Sequence, residues 1–238
     1  MTIRTIPPAC FSLSGPPAVV LPVWKDLAHH LQRMKPFEGI IPGSAAADRP
    51  IRFVERDLPY RQITEVPEYR FDDICRDDIV IDIGANVGAF CLRAARYSDR
   101  VLAVEPVAWE VLEENVRLNR VPVKVIRGAL GDGNPGIITW DDTMVNVPTY
   151  TLSQLIGITG GCDFLKCDCE GAEWLIRPHD LSGIRRIEME LHLPPVGGPP
   201  EPALLEYIGR HYDFDIERKP CHDVLGVMGI LHASRPAV

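Results

Sequence analysis

The stretch from Ile79 to Glu105, IVIDIGANVGAFCLRAARYSDRVLAVE, restricts the fold more than any other part of the chain. Ile79, Val80, Ile81 and Ile83 follow Asp77-Asp78 and stop at Gly84. That length and β-branching suit a strand buried on both faces, as in the parallel sheet of an α/β domain. Gly84, Ala85, Asn86, Val87 and Gly88 then form a tight turn, and Phe90, Leu92, Ala94, Ala95 and Tyr97 recur at helical spacing. Glycines in such a turn let backbone approach a ligand and leave helix N-terminal N–H groups facing it. A second strand, Val101 to Val104, closes on Glu105, placed where a carboxylate can accept hydrogen bonds from both ribose hydroxyls of an adenosine-containing ligand.

The spacing selects among such ligands. A pyrophosphate fingerprint reads G-x-G-x-x-G, whereas this chain has Asp82-x-Gly84-x-Asn86-x-Gly88. A carboxylate at the strand end repels phosphates and suits a cationic ligand that carries an amino acid, as S-adenosylmethionine (SAM) does. The competing reading is a structural strand-turn-helix that binds nothing.

The 238 residues fit one domain, or one domain with an N-terminal appendage. A net charge of −8 argues against a nonspecific nucleic-acid binder, so no nucleic-acid partner is expected. None of the seven cysteines lies in a C-x-x-C pair, and Cys162, Cys167 and Cys169 cluster in what reads as a strand. Zinc sites and disulfide frameworks need other spacings, so reduced thiols in a cytoplasmic protein are expected, with no metal cluster. No apolar run approaches the roughly 18–20 residues of a membrane span, and the N-terminus lacks the pattern of a secretory signal.

Residues 1–70 read as an N-terminal extension. It comprises a proline-interrupted arm, a short amphipathic helix over Val23–Met34 that either packs on the main domain or serves as a lid, and a loop from Pro36 to Pro50. A strand over Ile51–Val54 follows, and Arg52, Arg56, Arg61 and Arg70 make either a solvated surface or a clamp for an anionic group. The main domain, residues 71–238, then alternates as βαβα units should. Helices are expected over Ala108–Asn119, from Thr151 (a candidate cap) to Ile156, from Ala172 to Ile176 and over Ala203–Tyr212. Strands are expected at Val121–Arg127, Phe164–Cys167, Ile184–Leu191, Phe214–Arg218 and Gly226–His232, the last two as an antiparallel pair at the sheet edge. Gly128–Gly133 reads as a loop, and Gly136–Trp140 as half of a hairpin or an edge strand.

Several stretches together resemble the class I SAM-dependent methyltransferases, and within them the FkbM-type family, most of whose members are taken to be O-methyltransferases. They are V-I-D-I-G-A-N-V-G-A-F (80–90), V-E-P (104–106), E-N-V-R-L-N (114–119), A-L-G-D (129–132), Y-T-L-S-Q-L (150–155), F-L-K-C-D-C-E-G-A-E (164–173) and E-M-E-L-H (188–192). The resemblance implies a Rossmann-like, seven-stranded, mostly parallel sheet with one antiparallel strand and helices on both faces. It places Asp82, Gly84, Asn86 and Gly88 around the methionine part of SAM, Glu105 at the ribose, and Ala129, Leu130 and Asp132 near the adenine. The C-D-C-E-G form of the fourth-strand motif departs from the commoner apolar-flanked one, and the two thiols beside Asp168 are expected only to pack.

Methyl transfer from a sulfonium needs the acceptor held in line and, for a hydroxyl, its proton removed. Asp168, Glu170 and His192, at the ends of the fourth and fifth strands, are the catalytic candidates. His192 is attractive because an imidazole titrates near neutrality. Each has a rival role: Asp168 orients the SAM amino group, Glu170 caps the following helix, and His192 is a buried, hydrogen-bonded histidine. Asp168, Glu170, Glu190 and His192 together also suit a divalent ion, although none is expected. The expected acceptor is a hydroxyl of a small molecule or glycan; the alternatives are RNA or protein methylation, or a SAM-binding scaffold without catalysis.

Overall fold

The structure, a computed structural model, describes residues 37–39, 51–54, 69–140, 143–218 and 226–236. The expected arm, the Val23–Met34 helix, Arg56 and Arg61 lie outside them.

In chain order the elements are β1 (Phe37–Gly39), β2 (Ile51–Phe53), β3 (Ile79–Ile83), α1 (Cys91–Ala94), β4 (Arg100–Glu105), α2 (Trp109–Asn119), β5 (Val123–Arg127), β6 (Ala129–Leu130), β7 (Gly136–Trp140), β8 (Thr143–Val147), β9 (Thr149–Tyr150), α3 (Leu152–Thr159), β10 (Phe164–Cys167), β11 (Arg186–His192), α4 (Pro202–His211), β12 (Asp213–Glu217) and β13 (Val227–Ser234). Seven strands form one sheet in the order β12-β13-β11-β10-β3-β4-β5. Pairings from β11 through β5 are parallel, while β13 runs antiparallel to both of its neighbours. The expected single reversed strand is therefore β13, beside the edge.

Period-two alternation sorts side chains onto the two faces. Ile81, Ile83, Leu165, Cys167, Ile187, Met189 and Leu231 point into a core with Leu152 and Leu155 of α3 and Leu204 and Ile208 of α4. Val80, Val101, Ala103 and Phe164 point the other way, toward α1, Leu112 of α2 and Ile51 and Phe53 of β2. Helices thus cover both faces, and every residue of β3 is buried, as expected of an apolar run that only Asp82 interrupts.

Several expectations need correction. The Pro36–Pro50 loop contains β1, which pairs antiparallel with β2. The helix expected from Phe90 to Tyr97 is four residues of α-helix, and the one from Ala172 is a 3-10 turn ending at Leu175. Ala129–Leu130, read as loop, pairs in parallel with β9. Of the three clustered cysteines only Cys167 lies within a strand. In α2, where Val111, Leu112, Val116 and Leu118 are the residues expected to face inward, Leu112 is buried and Val111 and Val116 pack against the core, while Asn115 is buried in addition. The β7–β8 hairpin and the β12–β13 edge pair form as expected. No helix among the described residues is long and apolar enough to cross a membrane.

Candidate active site

The carboxyl ends of β3, β4, β10 and β11 meet at one edge of the sheet. The glycine turn after β3 folds back on β4 through Gly84 N–H and Ala85 N–H, both donated to Val104 O. Gly84 has φ +71°, and a Cβ there would stand 1.6 Å from Asp168 O. Only glycine lets β3 and β10 leave the sheet this close together. Asn115, fully buried on α2, braces the turn from behind: its Nδ2 donates to Val87 O at 2.8 Å, and its Oδ1 accepts Val54 N–H at 2.6 Å.

Glu105 ties that turn to the end of β4. Its Oε2 accepts Asn86 N–H at 2.8 Å, and its Oε1 accepts the N–H groups of Val107 and Ala108 at 2.8 and 2.9 Å. Burial raises its pKa, against the pull of those donors. Hydrogen bonds thus join the glycine turn directly to the acid of the second strand. Gly128 N–H, donated to Glu105 O, joins the Ala129–Asp132 segment to it. Asp132 closes its own turn by accepting Asn134 N–H at 2.9 Å.

Asp82 faces a residue that sequence reasoning left unassigned. Its carboxylate is fully buried and lies 3.2 Å from Lys166 Nζ on the neighbouring strand, while that ammonium donates to Gly84 O at 2.7 Å and reaches Asp168 Oδ2 at 3.8 Å. Burial alone would lower the Lys166 pKa, but Asp82 and Asp168 more than offset it and hold the ammonium above its usual value. Burial raises the Asp82 pKa against the pull of Lys166, and Asp82 reaches the glycine turn through that lysine. The available signal was register: a lysine inside an apolar strand, two residues before Asp168, needs a buried partner.

Asp168, Glu170 and His192 converge, with Glu190 beside them. His192 Nε2 lies 3.4 Å from Glu170 Oε2, 3.6 Å from Glu190 Oε2 and 4.0 Å from Asp168 Oδ1. The other oxygen of Asp168 accepts Tyr69 O–H at 2.9 Å. Behind the imidazole, Oε1 of the fully buried Glu173 accepts His192 backbone N–H at 2.6 Å and stands 3.2 Å from Nδ1. Trp174 Nε1–H donates to His192 O at 2.7 Å. Glu173, not Glu170, also accepts Gly171 N–H at the start of the 3-10 turn, so Glu170 is not the cap it was read as. It sits instead at φ +55° with its carboxylate turned toward His192.

The charges correct one expectation. Burial would lower the His192 pKa, but the hydrogen bond to Glu173 and the surrounding carboxylates raise it to about 9, so the resting imidazole carries its proton at neutral pH. Burial and repulsion from Asp168 push Glu190 up to about 9 as well. Asp168, although buried, is held below the usual carboxylate range by Lys166 and His192, while burial and repulsion from Asp168 raise Glu170. Cys167 and Cys169 lie 3.4 Å apart against the core that holds Leu165 and Met189, but Cys169 Sγ–H also donates to Glu173 Oε2 at 3.6 Å, so this thiol does more than pack.

The strand order and the reversed β13 define a Rossmann-like class I methyltransferase fold. No family model and no curated protein matches the chain. Among solved structures it is similar to precorrin 8w decarboxylase of Methanobacterium thermoautotrophicum, at 16% identity and TM-score 0.43 over 69% of this chain and 84% of that one. It is similar to methyltransferase FkbM of Methylobacillus flagellatus, at 15% identity and TM-score 0.46 over 69% of this chain and 44% of that one. A T. thermophilus 16S rRNA methyltransferase, in complex with AdoMet and guanosine, aligns at 15% identity and TM-score 0.48 over 85% of this chain and 50% of that one. The chain thus spans half or less of the length of the last two.

Proposed function

We propose that the chain is a SAM-dependent methyltransferase of FkbM type that methylates a hydroxyl on a small molecule or glycan. The reading rests above all on the 2.8 Å hydrogen bond from Asn86 N–H to Glu105 Oε2, which joins the glycine turn and the ribose-side carboxylate in one cradle. Asp82, Gly84, Asn86 and Gly88 form its methionine side, Glu105 its ribose side, and Ala129, Leu130 and Asp132 its adenine side.

When bound there, SAM supplies a sulfonium methyl group: a lone pair of the acceptor oxygen forms the new C–O bond while the C–S pair returns to sulfur. Lys166 holds Gly84 and Asp168 in place. The hydroxyl proton passes to the Asp168, Glu170 and His192 group, in which Asp168 is the carboxylate kept ionised at neutral pH. Glu170, 47% exposed, presents a carboxyl group on the acceptor side. An acidic face repels a phosphate backbone, which favours a small molecule or glycan over RNA.

Calorimetric titration with SAM tests the reading. The expected result is one site, weakened at least about tenfold in Glu105→Gln, since the charge-assisted bonds are the stronger ones. Absence of binding by the folded chain, or unchanged affinity in a folded Glu105→Gln variant, refutes it.

A further inference from the structure

We infer that Asp168, Glu170 and His192 form a binding site for a first-row divalent cation, with Glu190 at its side. A cation about 2.1 Å from each ligand atom sets neighbouring ligands about 3.0–3.4 Å apart and opposite ones about 4.2 Å apart. His192 Nε2 lies 3.4 Å from Glu170 Oε2 and 4.0 Å from Asp168 Oδ1, and one ligand atom from each of the three residues lies within 4.8 Å of the others. Small side-chain shifts bring all three onto one ion.

The imidazole supplies the independent observation. Its side chain is only 3% exposed, Glu173 occupies Nδ1, and Nε2 is aimed into the carboxylates. Those carboxylates stand off at 3.4 to 4.0 Å, beyond the roughly 2.7–2.9 Å of a charge-assisted N–H···O bond. The buried nitrogen thus faces carboxylate oxygens that ring it without closing on it, leaving a gap in which a cation would take the place of its proton. Behind it, a carboxylate holding the second ring nitrogen is the arrangement that fixes a metal-binding histidine's tautomer. Asp168 divides its oxygens in the same sense, Oδ2 to Tyr69 and Lys166 and Oδ1 toward the gap.

The nitrogen donor favours Mn2+, Fe2+ or Zn2+ over Mg2+ or Ca2+. On the methyltransferase reading, on which this role rests, the ion would hold the acceptor oxygen and ease loss of its proton. Cation binding itself does not depend on that reading.

Mn2+ titrated into the metal-stripped full chain, with free ion followed by its electron paramagnetic resonance signal, tests the site. One ion per chain is expected. Glu170→Gln, which alters a half-exposed side chain, and His192→Gln should each weaken it at least tenfold, and Glu173→Gln by about ten- to a hundredfold through the lost outer support. Glu206→Gln, on the exposed face of α4, should leave it unchanged. Failure of the folded chain to bind either Mn2+ or Zn2+, or equal affinity in wild type, Glu170→Gln and His192→Gln, overturns the inference. A parallel SAM titration separates the two readings: Mn2+ bound without SAM keeps the cation site and removes the methyltransferase, and SAM bound without Mn2+ or Zn2+ does the reverse.

Discussion

Lys166 carries the only ammonium among the described residues placed within 4 Å of both Asp82 and Asp168. Its removal would leave the Asp82 carboxyl, whose pKa burial already raises, without its partner in a site with no exposure, and breaking a buried pair in this way costs about 3–5 kcal/mol. Lys166→Met should therefore lower the urea midpoint sharply, and adding Asp82→Asn should restore most of the loss, because the stranded carboxyl goes with it. Equal stability of the single and double variants would show that the pair contributes nothing. Lys166 was visible in the sequence only as one letter of a strand motif. Asp82 was read as a ligand contact because the sequence shows which residue ends a strand but not what stands beside it. His192 and Glu190 carry a second prediction at this scale. Both native pKa values are raised to about 9, from 6.5 and 4.5 respectively, so the folded chain keeps protons that the unfolded chain releases. In the metal-free protein that stability is full below the unfolded values and is lost as pH climbs toward 9, by at most about 1.4 kcal/mol per pH unit for each proton. His192→Gln should flatten the decline in denaturation midpoints between pH 6.5 and 9; a wild-type profile with no decline there would contradict the assignment.

Elements with long, regular patterns were legible, and short ones held by tertiary bonds were not. The buried strand β3 and the β12–β13 pair were read correctly. α1 was read too long: i→i−3 bonds from Arg96 and Tyr97 tighten its end, and Ser98 Oγ–H, donated to Asp78 O, ends it. The last of these bonds reaches a residue twenty positions away and leaves no periodic trace. The start of α3 is the opposite case, since its signal is local. Thr151 Oγ1 accepts Gln154 N–H and Gln154 Oε1 accepts Thr151 N–H, a reciprocal capping box. An eight-residue helix is too short to form by propensity alone, so Thr151→Ala should cost about 1 kcal/mol. A shift in thermal midpoint no larger than that of an exposed control such as Ser153→Ala would mean the packing of Leu152 and Leu155 suffices without the cap.

At the scale of the molecule, one row of ionisable side chains crosses five strands in register: Asp215 opposite His232, His232 opposite Glu188, Glu188 opposite Lys166, and Lys166 opposite Asp82. Paired positions share a face, so the half of the sheet leading to the candidate site is polar on one side and must be covered by groups that can answer it. The chain before Phe71 supplies them. Arg70 N–H donates to Glu188 Oε2, its guanidinium binds Asp215 through two hydrogen bonds of 2.7 and 2.8 Å, and Tyr69 reaches Asp168. Further along the same face β2 buries Ile51 and Phe53, and Asn119 and Asn115 bind its backbone. A boundary at residue 71, drawn where the recognisable motifs begin, cuts through this cover. We predict that a chain starting at Phe71 loses about 3–6 kcal/mol, from two buried side chains at about 1.5–3 kcal/mol each. Because that is a large share of a typical domain's stability, its urea transition should move to much lower denaturant or cease to be cooperative. Tyr69→Phe in the full chain should leave that transition nearly in place, since an isolated hydrogen bond contributes only about 1 kcal/mol. If the shortened chain unfolds at the same urea concentration as the full one, the polar row is satisfied by solvent, and the first seventy residues belong to the molecule only as an appendage.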